Sequence, residues 1–193
     1  LFFYVGDVSD KGVPAALFMA VTMTLMKRTA SHKDIDPAEI LRLVNIDLCD
    51  GNENVLFVTL VCAIINIKTG RILYSNAGHN PPLVFRADGT VERLTLPEGI
   101  VLGIMPEASY STMELSLSAG DSILMYTDGV TEAMNLERKM FSEKKLFEMA
   151  SDLTDKPVED QCRLIMDAVK AHAGEAPASD DITILSLKYV GKK

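Results

Sequence analysis

The order of the predicted helices and strands is the feature that most constrains the fold of this chain. A strand comes first, followed by two helices, a run of strands separated by short polar turns, two more helices and a last strand. Alternating strands and helices would indicate parallel βαβ units, whereas runs of strands next to runs of helices are typical of α+β proteins. We therefore predict an α+β fold with antiparallel strands.

Apolar periodicity, helix caps and turn residues define the individual segments. The helix that begins at Pro14 is apolar nearly all round, so we expect it to be buried against a sheet as ordinary core. Strands are predicted at 1–5, 55–67, 72–76, 83–86, 91–94, 113–117, 122–126 and 182–189, and helices at 14–28, 37–49, 143–153 and 158–173.

Composition and charge narrow the class of protein. The chain has 193 residues, 48% of them apolar, which is enough for one sizeable core, and we predict one domain over 1–193. A net charge of −8 without a long basic cluster argues against nucleic acid or an anionic membrane as the main partner. Cys49, Cys62 and Cys162 form no C-x-x-C pair, which indicates free thiols in a reducing, cytoplasmic setting.

Aspartates stand beside three predicted strands. Asp7 follows the first strand, Asp128 follows the strand 122–126, and Asp180 and Asp181 precede the last strand. Crowded carboxylates repel each other unless a cation lies among them, and all-oxygen ligands suit magnesium, manganese or calcium. Each aspartate can also be a turn or helix cap, and the residues alone leave both interpretations open.

The first acidic loop, GDVSDKG at 6–12, excludes two common sites. A P-loop needs Lys and Ser or Thr after its last glycine, but Val13 and Pro14 follow Gly12. An EF-hand loop beginning at Asp7 would place Phe18 where the bidentate carboxylate belongs.

Five blocks of sequence occur in an order that resembles a known family. They are GDVSDKGVPAALFMA, NAGHNPPL, GIVLGI, SLSAGDSILMYTDGVTEAMN and SDDITIL. Together they resemble the bacterial SpoIIE/RsbU-like serine phosphatases, which are type-2C metal-dependent protein phosphatases, over residues 1 to about 188. The resemblance implies a four-layer α-β-β-α sandwich of two antiparallel sheets flanked by helices, with two manganese or magnesium ions at one end.

The resemblance also implies a role for each acidic corner. Asp7 is expected to bridge both ions, the carbonyl of Val8 to add a ligand, and Asp128 and Asp180 to bind the ions from the other side. Asp181 is expected to join the metal site mainly by orienting it. Hydrolysis by a metal-activated water needs no protein nucleophile; His79 is either a turn histidine or a general acid.

Three departures from the family pattern affect these expectations. The family often has glycine where Asp10 stands and commonly has it at Ser142. An acidic G-G-D motif on a preceding strand has no counterpart here, and the chain opens on Leu1 without methionine. We therefore expect an excised C-terminal fragment that lacks its N-terminal strand or strands, holds the second ion weakly and is less active than a longer chain.

The expected function is hydrolysis of phosphoserine on a regulatory protein, a STAS-type anti-anti-sigma factor by resemblance. The alternative is a catalytically weak binding module of the same fold. An upstream sensor or receiver module in the same chain is the expected regulatory partner, and a homodimer stays open. We expect a cytoplasmic domain without direct membrane contact, although the full-length protein can be tethered to a membrane sensor.

Overall fold

The computed structural model describes residues 1–191, which fall into two units that each contain one antiparallel sheet and two helices. The first unit comprises Leu1–Ile67, Arg71–His79 and Leu96–Ser116, and the second comprises Lys68–Gly70, Asn80–Thr95 and 117–191. The elements are β1 (Phe2–Val8), α1 (Val13–Thr29), α2 (Pro37–Cys49), β2 (Val58–Ile65), β3 (Arg71–Ala77), β4 (Leu83–Phe85), β5 (Val91–Arg93), β6 (Met113–Ser116), β7 (Ser122–Tyr126), α3 (Glu143–Ala150), α4 (Val158–Ala173) and β8 (Ile184–Lys188).

In the first unit the strand order is β1-β2-β3-β6, and α1 and α2 pack against this sheet. Asp36 caps α2 by accepting a hydrogen bond from the Glu39 N–H at 3.1 Å, and Pro37 occupies the first turn. The apolar stripe of α2 is fully buried together with Met26 of α1 and the inward side chains of β2. This core consists of Met26, Ile40, Leu41, Val44, Leu48, Val58, Leu60, Cys62, Ala77 and Leu102.

The prediction that α1 is buried nearly all round is wrong. Leu17, Val21 and Met23 expose 63%, 51% and 51% of their surface, whereas Met26 is fully buried. A helix on a sheet offers only one stripe to the core, so the remaining apolar residues face away from it. Thr22 lies within the buried stripe because its hydroxyl donates to the Phe18 carbonyl at 2.9 Å and so stays hydrogen-bonded.

The first strand is longer than predicted. β1 pairs with β2 from Phe2↔Ile64 to Val8↔Val58, so Asp7 lies within the strand and not beyond its end. The apolar run 1–5 predicts that the strand ends before Gly6, but in the structure this glycine lies within β1 and marks a close approach of two backbones. A Cβ at Gly6 would lie 2.9 Å from the Thr59 carbonyl oxygen and 3.2 Å from the Leu60 side chain.

In the second unit the strand order is β5-β4-β7-β8, with all neighbours antiparallel. All five residues of β7 are buried. The apolar faces of α3 and α4 complete a core with β4 and β7. This core consists of Leu83, Phe85, Leu124, Tyr126, Val130, Ala133, Phe141, Leu146, Ala150, Leu153, Ile165 and Val169.

The predicted fold class is confirmed, since the chain has two antiparallel sheets with two pairs of helices. Several predicted segments are longer than the observed elements. The segment 55–67 forms β2 only over Val58–Ile65, and the segment 143–153 forms α3 up to Ala150 and then a 3-10 turn at Ser151–Leu153. The three cysteines are free thiols. Within residues 1–191, the helices are all too short or too polar to cross a lipid bilayer.

Candidate metal centre

The second unit brings two of the predicted metal ligands together. Asp128 stands two residues after β7 and Asp180 four residues before β8, and these strands are antiparallel neighbours that end with Tyr126 opposite Ile184. Both aspartates therefore lie at the same edge of the sheet. One carboxylate oxygen of Asp128 and one of Asp180 lie within 4.8 Å of each other.

Hydrogen bonds of Thr127 continue the pairing beyond the ends of the two strands. Its N–H donates to the Thr183 carbonyl at 3.1 Å, and the Thr183 N–H donates to its hydroxyl oxygen at 3.0 Å. The same hydroxyl donates to the Asp181 carbonyl at 3.2 Å. The segment that carries Asp180 is thereby fixed to the segment that carries Asp128 by one backbone hydrogen bond and two hydrogen bonds of the Thr127 hydroxyl. The sequence analysis did not single out Thr127.

Gly129 allows these two segments to approach each other. A Cβ on this residue would lie 2.2 Å from the Asp181 carbonyl oxygen, a distance that only glycine permits. The sequence contains a signal for a turn here, because Asp-Gly after a strand is typical of a turn, but it contains no signal for the close approach.

Asp128 has an unsatisfied oxygen. Its Oδ1 is buried and has no hydrogen-bond partner among residues 1–191. A buried carboxylate oxygen without a partner costs free energy, and a second carboxylate nearby adds repulsion. Oxygen donors of this kind suit a hard divalent cation, so Asp128 and Asp180 fit magnesium or manganese.

Asp181 contributes to the candidate site through its backbone groups. Its N–H donates to the Asp180 Oδ1 at 2.9 Å, while its carbonyl accepts from Thr127. The side chain itself is exposed. These contacts hold the Asp180 carboxylate in one orientation.

Asp7 lies in the first unit, opposite Thr59 in the β1–β2 ladder. The Thr59 hydroxyl lies 3.5 Å from the Asp7 carbonyl oxygen and 2.9 Å from His79 Nδ1. His79 is 6% exposed, and its backbone N–H donates to the Asn76 side chain at 3.0 Å. His79 is therefore held by side chains of Thr59 and Asn76, and the sequence analysis did not identify the Thr59 contact.

The carbonyl of Val8 is directed away from β2. Val8 lies opposite Val58, whose N–H donates to the Leu102 carbonyl at 3.0 Å instead of to β1. In an antiparallel ladder, such a pair points its N–H and C=O groups away from the partner strand. The Val8 carbonyl is therefore free of the β1–β2 ladder.

Asp10 and Ser142, where the family pattern has glycine, both have positive φ. The φ angle is 68° at Asp10 and 75° at Ser142. This region favours glycine and tolerates aspartate better than most residues. Asp10 is exposed, and its Oδ1 accepts a hydrogen bond from the Lys11 N–H at 2.8 Å.

The fold is shared with solved phosphatase domains. The SiaA-PP2C domain of Pseudomonas aeruginosa aligns with a TM-score of 0.85 at 21% identity, over 97% of this chain and 75% of that chain. The catalytic domain of the serine threonine protein phosphatase PstP, solved in complex with two manganese ions, aligns with a TM-score of 0.71 at 13% identity, over 99% of this chain and 88% of that chain. The chain therefore has the fold of the type-2C phosphatases.

Sequence comparison identifies the family within that class. Residues 1–190 match the family described as Stage II sporulation protein E (SpoIIE), and the chain belongs to this family. The phosphoserine phosphatase RsbU of Bacillus subtilis is 32% identical over 129 residues, which are 66% of this chain and 38% of RsbU. The chain spans 33% to 42% of the length of the curated relatives it matches.

Proposed function

We propose that this chain hydrolyses phosphoserine on a regulatory protein with the help of manganese or magnesium. The observation that carries the proposal is the carboxylate pair of Asp128 and Asp180, with one buried Asp128 oxygen left without a partner among residues 1–191. This pair occurs in a chain of the SpoIIE family, which supports the same chemistry as in the phosphatase relatives.

Each candidate ligand has a distinct role in the proposed site. Asp128 and Asp180 of the second unit each offer one carboxylate oxygen to an ion. Asp7 is the further carboxylate ligand that the resemblance to the family implies. The Val8 carbonyl offers a further oxygen, since it is not used by the β1–β2 ladder. Asp181 positions Asp180 through its N–H.

The chemistry expected at this site is hydrolysis of the phosphate ester. A bond forms between phosphorus and a water oxygen, the bond to the serine Oγ breaks, and serine and inorganic phosphate are released. Two ions of this type lower the pKa of water and offset the charge on phosphate. The aspartates of this chain hold that positive charge in place and leave nucleophilic attack to water.

The name of one relative supports a phosphoserine substrate, and the resemblance to the family suggests which protein carries it. RsbU is named a phosphoserine phosphatase. We propose a phosphorylated STAS-type anti-anti-sigma factor as the substrate, and a sensor or receiver module in the same full-length protein as the regulator. A cytoplasmic location is part of the same proposal, and a homodimer is compatible with it.

Hydrolysis of a phosphoserine peptide at saturating manganese tests the proposal. We expect turnover that chelator abolishes, and a loss of at least about 100-fold in Asp7→Asn, Asp128→Asn and Asp180→Asn, since each removes a charge that offsets the ions. Asp152→Asn, which changes an exposed aspartate after α3, is the matched control and should keep the parent rate.

Two results would contradict the proposal. If the three variants kept most of the metal-dependent rate, the ligands would be wrongly assigned. If the parent bound the phosphorylated STAS protein without hydrolysing it, the chain would be a binding module.

A further inference from the structure

We infer that a pocket beside Asp180 binds an apolar side chain of the substrate, close in sequence to the phosphoserine. The inference rests on the proposed function and adds to it a determinant of substrate choice. This pocket, which we call the α4 pocket, has a volume of about 260 Å³ and lies wholly in the second unit.

The walls of the α4 pocket come from three segments. The last turns of α4 contribute Met166, Val169 and Ala173, and the segment that follows α4 contributes its small residues up to Asp180. Ala133 and Met134 close the third side. The Met134 N–H donates to the Ser179 hydroxyl at 3.2 Å, which ties the third side to the segment that carries Asp180.

The lining chemistry favours an apolar occupant. Methionine, valine and alanine side chains form the walls, and methionine adapts its shape to different partners. Pockets for drug-sized ligands measure about 300–1,000 Å³, so this smaller pocket suits a single amino-acid side chain. Lys170, an exposed residue, is also part of the lining, and its positive charge disfavours a cationic occupant.

The position of the pocket links it to the proposed reaction. Asp180 belongs both to the pocket lining and to the carboxylate pair with Asp128. A phosphoserine bound at that pair therefore places the adjoining peptide next to the pocket. An extended peptide advances about 3.3 Å per residue and turns alternate side chains to the same side. Three positions of an extended chain span about 10 Å, and we assign the occupant to a residue within that range on either side of the phosphoserine.

A set of phosphoserine peptides tests this assignment on the unmodified chain. In an otherwise alanine-rich peptide, one leucine is moved through the three positions on each side of the phosphoserine, and kcat/KM is measured with manganese. Leucine at one position should raise kcat/KM about tenfold over alanine, the discrimination that an apolar pocket provides. The equilibrium dissociation constants of dye-labelled versions, measured by fluorescence anisotropy, should show the same preference.

Ala173→Leu provides the decisive variant because it fills the pocket from the end of α4 without removing a core side chain. It should abolish the leucine preference, so that kcat/KM for the leucine peptide falls to the value for the all-alanine peptide. Ala171→Leu makes the same change two residues earlier, on an exposed position that does not line the pocket, and should behave as the parent. Met166→Ala enlarges the pocket and should shift the preference from leucine to phenylalanine.

The outcomes separate this inference from the proposed function. If the peptides are hydrolysed without any leucine preference, the pocket assignment alone is overturned. The same holds if Ala173→Leu retains the preference or if Ala171→Leu also loses it. Absence of hydrolysis for every peptide overturns the proposed function. In that case the anisotropy measurements decide: a leucine preference lost only in Ala173→Leu supports the pocket, and equal dissociation constants overturn it.

Discussion

Asp121, directly before β7, shows how a single buried carboxylate is accommodated away from the candidate site. It is 3% exposed, and it accepts hydrogen bonds from the N–H groups of Ala87 at 2.8 Å and Ser118 at 3.0 Å. The Arg86 guanidinium donates to it at 2.9 Å. Burial acts to raise the pKa of the Asp121 carboxyl, but these hydrogen bonds and the Arg86 charge outweigh it and lower the pKa.

Asp121→Asn should therefore destabilise the protein by about 3 kcal/mol at neutral pH, because it leaves Arg86 and two N–H groups with a weaker partner. Since the folded pKa lies below the unfolded value of about 3.9, the stabilisation is complete above that value and is lost as the pH falls through the folded pKa. Urea unfolding at several pH values should show parent and variant converging only in acid. A constant difference down to pH 2 would contradict this assignment, and Asp152→Asn is the control.

Ser142 is a second residue whose substitution has a defined expected effect. As the N-cap of α3 it has φ 75° and ψ 149°, and its side chain accepts a hydrogen bond from the Lys145 N–H at 3.4 Å. That backbone conformation is used mainly by glycine and costs other residues about 1–3 kcal/mol. A glycine N-cap, by contrast, loses only a few tenths of a kcal/mol relative to serine.

Ser142→Gly should consequently stabilise the protein by about 1 kcal/mol, and Ser142→Ala should destabilise it by a similar amount, since alanine retains the strain and loses the cap. Thermal melts would detect both changes. Equal melting temperatures for the glycine and alanine variants would show that the backbone angle is not strained.

At the scale of elements, α1 carries both buried apolar residues, which contribute to stability, and exposed apolar residues, which do not. Met26→Ala should cost about 2–5 kcal/mol because it opens a cavity in the core of the first unit. Leu17→Ala should change the free energy of unfolding by no more than about 0.5 kcal/mol, since Leu17 is mostly exposed. Urea unfolding of the two variants makes the comparison, and similar losses would mean that Leu17 is buried in solution.

The elements also show what the sequence could predict. Residues 122–126, 37–49 and 158–173 were assigned with the observed ends, because turn residues and caps bound each apolar pattern. The true end of β1 depends on pairing with β2, which is 50 or more residues away, and so it could not be read from a local pattern. The exposed stripe of α1 likewise depends on which face meets the sheet.

The candidate site was predictable to a similar extent. Asp128 and Asp180 stand out in the sequence because turn residues at strand ends are a local signal. Their closeness, which the structure shows, follows from the pairing of β7 with β8. The contact of Thr59 with His79 and those of Thr127 with Thr183 join residues far apart in the chain. Such contacts depend on which distant strands lie next to each other, and a local sequence pattern does not show that.

For the whole molecule, we expect the carboxylate pair to make stability depend on metal. In chelator, Asp128→Ala and Asp180→Ala should each melt about 2–4 °C higher than the parent, as expected if relieving the repulsion is worth about 1 kcal/mol. Manganese at 100 times its dissociation constant should stabilise the parent by about 2.7 kcal/mol and the variants much less. Calorimetry with Asp152→Ala as control measures both effects; variants that melt below the parent in chelator would identify Asp128 and Asp180 as structural caps.

The contact between Gly129 and the Asp181 carbonyl also has a consequence for the kinetics of metal exchange. Because backbone packing sets the spacing of Asp128 and Asp180, the carboxylates are already close together before an ion arrives. Binding that requires no rearrangement is not slowed by a conformational step. We therefore expect the rate of metal binding by these two ligands to be set by how fast the incoming ion loses its water. A side chain at position 129 should make chain movement the slow step instead.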